Sequence, residues 1–239
     1  MDRIAPTRRP EGPNAGTQSW RELLFVHWEV PEELLRPLVP ARLSIDTWDG
    51  RAMVGMVPFA MRNIRPRWLP RVLAQDFLET NLRTYVHLDG EEPGVWFFSL
   101  EASSWSAVMA ARLGWSLPYH HARMSMRHEG ERIDYETVRR SDGARMVASW
   151  TPGAVLGAST PGTVEFWLLE RYVLYSERRG RLYRGRVHHP AYRAREAELH
   201  LGMEETLTRA AGVSERSAEP VFVHACDGVD VEMFGIVEV

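Results

Sequence analysis

Short polar turns that contain glycine recur along the chain, and alternating apolar and polar residues flank them. Alternation of this kind is typical of half-buried strands, and pairs such as Asp-Gly accept the positive φ angles of tight hairpins. Five hairpins are predicted: 43–48 with 51–57, 81–88 with 95–101, 122–128 with 132–139, 171–176 with 181–188, and 221–226 with 229–239. Hairpins in series predict a mostly antiparallel sheet, closed or nearly closed so that its edges are protected.

Helical signals are few and short. They fall at residues 31–37, 106–113, 162–169 and 203–211, and no Gly-x-Gly-x-x-Gly segment follows a strand. The expected fold class is therefore α+β, mostly antiparallel β, rather than a series of βαβ units. Residues 1–18 are rich in Pro, Gly and Arg and are predicted to be a flexible tail, and residues 19–239 are predicted to form a single domain.

Lysine is absent from the chain, because all 29 residues counted as Lys plus Arg are arginine. Schiff-base catalysis needs a primary amine that can lose its proton near neutral pH, so this chemistry is excluded. Pyridoxal enzymes and P-loops that end in Gly-Lys are excluded by the same count. Arginine remains available to bind carboxylates or phosphates with two parallel hydrogen bonds.

Charge and apolar patterning narrow the expected partners and location. A net charge of −3 and an isoelectric point of about 6.3 argue against non-specific nucleic-acid binding. The single cysteine, Cys226, cannot form an intrachain disulfide, and no apolar run approaches the length of a membrane span. A cytoplasmic protein without a membrane partner is expected, and a homo-oligomer is left open. The histidines lack the spacing of metal ligands, so neither a metal nor another cofactor is expected.

Several segments together resemble one family. They are Leu24-Phe25-x-His27-Trp28 with Pro40, 79–86, 94–100, 117–119, 170–172 and His188-x-Pro190. This combination resembles the family of domain of unknown function 2071, which is similar in turn to the acetoacetate decarboxylase superfamily. The resemblance implies an acetoacetate-decarboxylase-like fold, with a barrel-like sheet and a few short helices around an internal cavity. It implies no particular activity, because the family has none settled.

The resemblance also indicates where a decarboxylase would carry its Schiff-base lysine. The segment Trp115-Ser116-Leu117-Pro118-Tyr119-His120 is similar to the lysine-bearing segment of those enzymes. Tyr119 then stands in the place of the lysine, with His120 beside it. Tyr119 could donate a hydrogen bond to a bound carbonyl group, and His120 could serve in acid/base catalysis. The alternative is that Tyr119 is an ordinary wall residue.

One predicted strand carries a polar face. Because residues two apart on a strand share a face, Glu79, Asn81, Arg83 and Tyr85 should project together. In one interpretation this face meets solvent, as in many half-exposed antiparallel strands. In the other it lines an internal cavity, where Arg83 binds an anion and Glu79 acts as its partner or as a base.

The candidate site combines this strand with nearby aromatic residues. The catalytic candidates are Glu79, His120 and Tyr119, and the ligand-binding candidates are Arg83, Asn81, Tyr85, Trp96, Phe98 and Trp115. A competing interpretation assigns most of the aromatic residues to the core. The segment Glu170-Arg171-Tyr172 is explained without function by a local ion pair and a packed aromatic ring.

Three functions remain open from the sequence. The leading hypothesis is a protein that binds a small organic acid or carbonyl compound in an aromatic-lined cavity without Schiff-base chemistry. The alternative is an enzyme that uses non-covalent acid/base catalysis, of the enolate-type lyase or hydratase class, on a small keto or carboxylic acid. The third is a structural or interaction protein whose lumen is filled by its own side chains.

Overall fold

A computed structural model describes residues 1–201 and 206–239. In these ranges strands predominate, and the few helices are short. The strands are β1 Gly16–Val30, β2 Leu43–Ile45, β3 Ala52–Pro66, β4 Gln75–Leu88, β5 Glu91–Ala102, β6 Tyr119–Glu129, β7 Arg132–Arg139, β8 Arg145–Ala158, β9 Val173–Arg178, β10 Arg181–His188, β11 Arg193–Leu201 and β12 Phe222–Glu238. The helices are α1 Glu32–Leu35, α2 Trp105–Gly114, α3 Val164–Leu169 and α4 Thr206–Ala210, with 3-10 turns at Ala5–Thr7, Arg36–Leu38 and Arg71–Leu73.

The strands form one large mixed sheet. Its order is β10-β9-β5-β6-β7-β8-β11-β12-β1-β3-β4-β2, and the further pairs β10–β12 and β5–β4 close the pairing on itself. In the described part of the chain the β5–β6 and β5–β9 pairs are parallel and the others are antiparallel. The predicted fold class, mostly antiparallel with few short helices, is therefore confirmed.

Three of the predicted hairpins are confirmed. The β4–β5, β6–β7 and β9–β10 pairs are antiparallel and connected by short turns. The β4–β5 turn is tighter than the six residues expected, because Asp89 and Gly90 close it with φ angles of 52° and 79°. Positive φ at both central residues is the geometry that matches the twist of the flanking strands.

The first and last predicted hairpins are wrong. Asp49 and Gly50 do form a turn, but it is closed only by a bridge between Trp48 and Arg51, and β2 pairs with β4 instead of β3. At the other end, β12 continues through the predicted turn without reversing. Gly228 pairs with Arg21 in the β1–β12 ladder, where the two backbones approach closely.

Replacement of Gly228 by alanine is expected to cost about 1–3 kcal/mol of the free energy of unfolding. Gly228 has φ +147°, and a Cβ atom there would lie 2.3 Å from the carbonyl oxygen of Trp20. Urea unfolding measures the change. Gly235→Ala on the same strand is the matched control, because a Cβ atom there meets nothing within 4 Å. Equal stability of the two variants would contradict the close approach.

The N-terminal segment contacts the sheet at several points. Arg3 donates two hydrogen bonds to Asp46, Arg9 pairs with Glu232, and Pro6 is buried. The first strand begins at Gly16, inside the segment assigned to a tail. The flexibility expected for residues 1–18 and the single domain expected for 19–239 stay predictions.

The helices occur near the predicted places. Ser104 caps α2 by accepting a hydrogen bond from the Ala107 N–H, and Thr163 caps α3 in the same way. The fourth prediction, 203–211, lies partly outside the described residues, and α4 covers Thr206–Ala210 of it. None of the helices in the described ranges is long and apolar enough to cross a membrane.

Both faces of β4 are buried. One face packs into a core cluster that includes Leu24, Trp28, Leu82 and Trp150. The other face adjoins a second cluster and the cavity described below. The interpretation in which the polar face of this strand meets solvent is therefore wrong.

A candidate ligand-binding cavity

A cavity of about 500 Å³ lies within the sheet. Its walls come from β1, β3, β4, β5 and α2, with further residues from the second half of the chain, and they are mainly apolar. The aromatic residues that line it are Trp20, Phe25, Phe59, Phe77, Phe97, Trp115, Tyr119 and Tyr192. A cavity of this size falls in the range of small-molecule sites. The interpretation of a lumen filled by side chains does not hold.

Strand β4 forms one wall along the length of the cavity. Gln75, Phe77, Glu79, Asn81 and Arg83 all line it, as the two-residue repeat of a strand requires. Gln75 is exposed, whereas Phe77 and the three polar residues beyond it are buried. The mouth therefore lies near Gln75, and Arg83 lies at the deep end.

Arg83 is a buried cation at this deep end. Its side chain is among the charged groups with less than a tenth of their surface exposed. Its Nε and Nη2 atoms have no hydrogen-bond partner among the described residues. The guanidinium carbon lies 5.8 Å from the ring centre of Phe25 and 6.0 Å from that of Tyr85. Arg83 also lines the cavity, so its guanidinium can supply the counter-charge for an anionic ligand there.

Glu79 lies farther toward the mouth and is hydrogen-bonded to Tyr119. The Tyr119 hydroxyl donates to Oε2 of Glu79 over 2.8 Å, and both side chains are buried. Burial raises the pKa of Glu79, the bond from Tyr119 opposes the rise and the nearby charge of Glu101 adds to it, and the net pKa is about 8. Glu79 is therefore largely protonated at neutral pH and can exchange a proton there.

A second arginine, Arg171, reaches the cavity from the other half of the chain. Its Nη1 atom donates to Asp46 over 2.8 Å and its Nε atom to the Trp167 carbonyl over 2.6 Å. The local ion pair predicted for Glu170-Arg171-Tyr172 is therefore wrong, since Arg171 pairs with Asp46 and the hydroxyl of Tyr172 donates to Glu170. Arg171 and Asp46 are 125 residues apart in the chain, too distant for local spacing to reveal their contact.

The structure brings five of the nine sequence candidates together around the cavity. They are Glu79, Asn81, Arg83, Trp115 and Tyr119. Asn81 contributes an Oδ1 atom that has no hydrogen-bond partner among the described residues. The polar residues of the cavity wall thus include a buried cation, a neutral carboxyl group, a phenol and an amide oxygen.

The other four candidates do not line the cavity. Tyr85 is fully buried behind it, where its hydroxyl lies 2.7 Å from Nε2 of His27 and donates to the Leu168 carbonyl. Trp96 donates to the Leu38 carbonyl, and Phe98 packs on the opposite face of β5. Phe97 lines the cavity instead of these two neighbours.

His120 also lies away from the cavity. Adjacent strand residues face opposite ways, so His120 projects from the face of β6 opposite to Tyr119. Burial and the charges of Arg139 and Arg112 lower the pKa of His120 to about 4. The imidazole is therefore neutral near pH 7 and is separated from Glu79 by the sheet.

Solved structures with an acetoacetate-decarboxylase-like fold match nearly the whole chain. The enduracididine biosynthesis enzyme MppR complexed with pyruvate matches with a TM-score of 0.66 at 12% identity, over 95% of this chain and 91% of that one. Acetoacetate decarboxylase from Legionella pneumophila matches with a TM-score of 0.66 at 13% identity, over 97% and 91%. At these sequence identities the structural similarity shows a shared fold alone.

The chain belongs to the DUF2071 family, which is described as an uncharacterized conserved protein and matches residues 17–230. A relative in Bacillus subtilis strain 168, the uncharacterized protein YqjF, is 38% identical over 218 residues. That match covers 90% of this chain and 89% of the relative. The predicted family and its similarity to acetoacetate decarboxylases are confirmed.

Proposed function

We propose that the protein binds a small organic acid or carbonyl compound in this cavity, without Schiff-base chemistry. The observation that carries the proposal is Arg83, a buried guanidinium whose Nε and Nη2 atoms have no partner among the described residues. An unpaired buried charge is expensive for a folded protein. A carboxylate bound in the cavity would supply the opposite charge that this guanidinium lacks, and a guanidinium suits a carboxylate geometrically.

Acid/base catalysis is a second candidate function, and the state of Glu79 favours it. A carboxyl group with a pKa of about 8 can take up or release a proton at neutral pH, which is the property that a general acid or base needs. Tyr119, in the place where the resemblance puts the decarboxylase lysine, would orient the Glu79 carboxyl group. The reaction would be non-covalent, since the chain has no lysine.

Calorimetric titration of the wild-type protein at pH 7 with monocarboxylates and their neutral amides tests the binding proposal. We expect the acids to bind and the amides to bind more weakly, because only the acids carry a full negative charge for Arg83. Failure of every acid to bind would overturn the proposal.

Proton exchange tests the catalytic candidate separately. Pyruvate and 2-oxobutyrate in deuterated water would exchange the protons next to their carbonyl groups faster with the protein present, as measured by NMR. Glu79→Gln should stop this exchange and leave binding intact. An exchange rate equal to that in buffer alone would exclude proton abstraction from these probes.

A further inference from the structure

The cavity is several times larger than the volume that pyruvate, which MppR of similar fold binds, would fill. We infer that its ligand is a monocarboxylic acid with an extended apolar body, held with its carboxylate at Arg83 and its chain directed toward the mouth. This inference rests on the proposed function and names the substrate class of the same site. Size, wall chemistry and the direction of β4 each support it.

Volume gives the first argument. An apolar cavity of about 150 Å³ accommodates benzene, which has six non-hydrogen atoms. The cavity here measures about 500 Å³, so at the same packing it holds roughly three times as many, on the order of 20 atoms. An acid of the size of pyruvate would leave most of this space without contacts, and unfilled apolar space forfeits dispersion energy.

Wall chemistry gives the second argument. Between Arg83 and the mouth the walls are formed mainly by apolar side chains such as Phe59, Met61, Ile64 and Phe77. The polar exceptions on β4 are Glu79 and Asn81. Glu79 already has the Tyr119 hydroxyl as a partner and is largely protonated at neutral pH, and Asn81 is an uncharged amide. An alkyl or aryl chain therefore meets surfaces that it can desolvate at little polar cost.

The direction of β4 gives the third argument. Arg83 and the exposed Gln75 are eight residues apart on the strand, a backbone distance of about 27 Å at the usual rise. Phe77, Glu79 and Asn81 project into the cavity between them. The cavity is thus long in one direction, with its cation at the closed end, and this shape fits an acid whose charge enters first.

Titration with straight-chain acids from butanoate to nonanoate tests the inference, with the alcohols of equal length as neutral controls. Each added methylene should tighten binding about four-fold, or roughly a thousand-fold over the series. Acids should bind more tightly than alcohols, and Arg83→Met should remove that preference without removing the dependence on chain length.

Substitutions in α2 test the direction of the chain. Ala107 and Ala111 line the cavity near its mouth, so Ala107→Phe should weaken the longest acids and spare butanoate. Ala111→Phe tests the same point if the first variant does not fold. Met109→Phe is the matched control, because Met109 lies on the same helix but does not line the cavity.

The outcomes separate this inference from the proposed function. If short acids bind in an Arg83-dependent way and added methylenes change nothing, the extended ligand is excluded and the proposed function stands. If no acid of any length binds, the proposed function itself fails. If alcohols bind as tightly as acids of equal length, the carboxylate is not recognised and both are overturned.

Discussion

Replacement of Arg83 by methionine is expected to weaken carboxylate binding by about 100-fold or more and to stabilise the ligand-free protein. Removing one member of a buried charge pair typically costs at least 2–5 kcal/mol of binding free energy. Without ligand, however, the Arg83 guanidinium has N–H groups that no described residue accepts. Methionine keeps much of the apolar stem and removes the unsatisfied charge, so the free energy of unfolding should rise by about 1–3 kcal/mol.

Calorimetry with a monocarboxylate and urea unfolding without ligand measure the two effects of Arg83→Met. Weaker carboxylate binding together with a higher free energy of unfolding would identify Arg83 as a residue retained for binding at the expense of stability. If the variant binds the acid as tightly as wild type, Arg83 is not the anion site. If it is less stable than wild type, the side chain has structural partners of its own.

Arg139 provides the matched contrast, because it is a buried arginine with a partner. Its guanidinium contacts Glu101 over 2.6 Å, and both side chains are almost fully buried. Arg139→Met leaves the Glu101 carboxylate without its cation and should lose about 3 kcal/mol of the free energy of unfolding. The same substitution should therefore change stability in opposite directions at the two sites.

The sequence predicts the polar wall of the cavity because that wall is a local pattern. Glu79, Asn81 and Arg83 share a face through the two-residue repeat, and no distant part of the chain can change which face they share. Whether that face meets solvent or a cavity depends on what covers it. The resemblance strengthened the case for a cavity but left both interpretations open, and the alternation could not separate them.

The two-residue repeat of a strand also explains why Trp96 and Phe98 were predicted to line the cavity but do not. Aromatic side chains occupy both faces of β5, so alternation leaves two equivalent choices, and Phe97 is the one that lines the cavity. The pairing of β2 with β4, the parallel pairs of β5 and the contact between Arg171 and Asp46 join distant segments. The residues of a turn indicate pairing only between strands that are adjacent in the sequence. The contacts between distant segments therefore depend on the tertiary fold.

Glu79→Gln is expected to stabilise the protein increasingly as the pH rises from about 4.5 to about 8. The folded state holds the Glu79 proton with a pKa of about 8, whereas the unfolded chain releases it near the ordinary value of 4.5. Between these values the folded state binds more protons than the unfolded state, so wild-type stability falls by about 1.4 kcal/mol per pH unit from this group. Glutamine resembles the protonated carboxyl group and has no such dependence.

The quantity to measure is the difference in unfolding free energy between Glu79→Gln and wild type, from urea titrations at each pH unit from 5 to 10. Subtraction cancels the titrating groups that do not interact with Glu79, such as Glu170, whose pKa burial also raises. The difference should be smallest at pH 5 and level off above about pH 8. A constant difference across this range would mean that Glu79 has the same pKa in the folded and the unfolded protein.

Tyr119→Phe supplies the control, since it removes the hydrogen bond that lowers the pKa of Glu79. In this background the pKa of Glu79 should rise further, and the difference caused by Glu79→Gln should level off at a higher pH. A general base needs this carboxyl group poised near neutrality, and Tyr119 is the residue that limits its shift. If the difference levels off at the same pH in Tyr119→Phe as in wild type, Tyr119 does not influence the pKa of Glu79. Tyr119 would then have no part in the acid/base proposal.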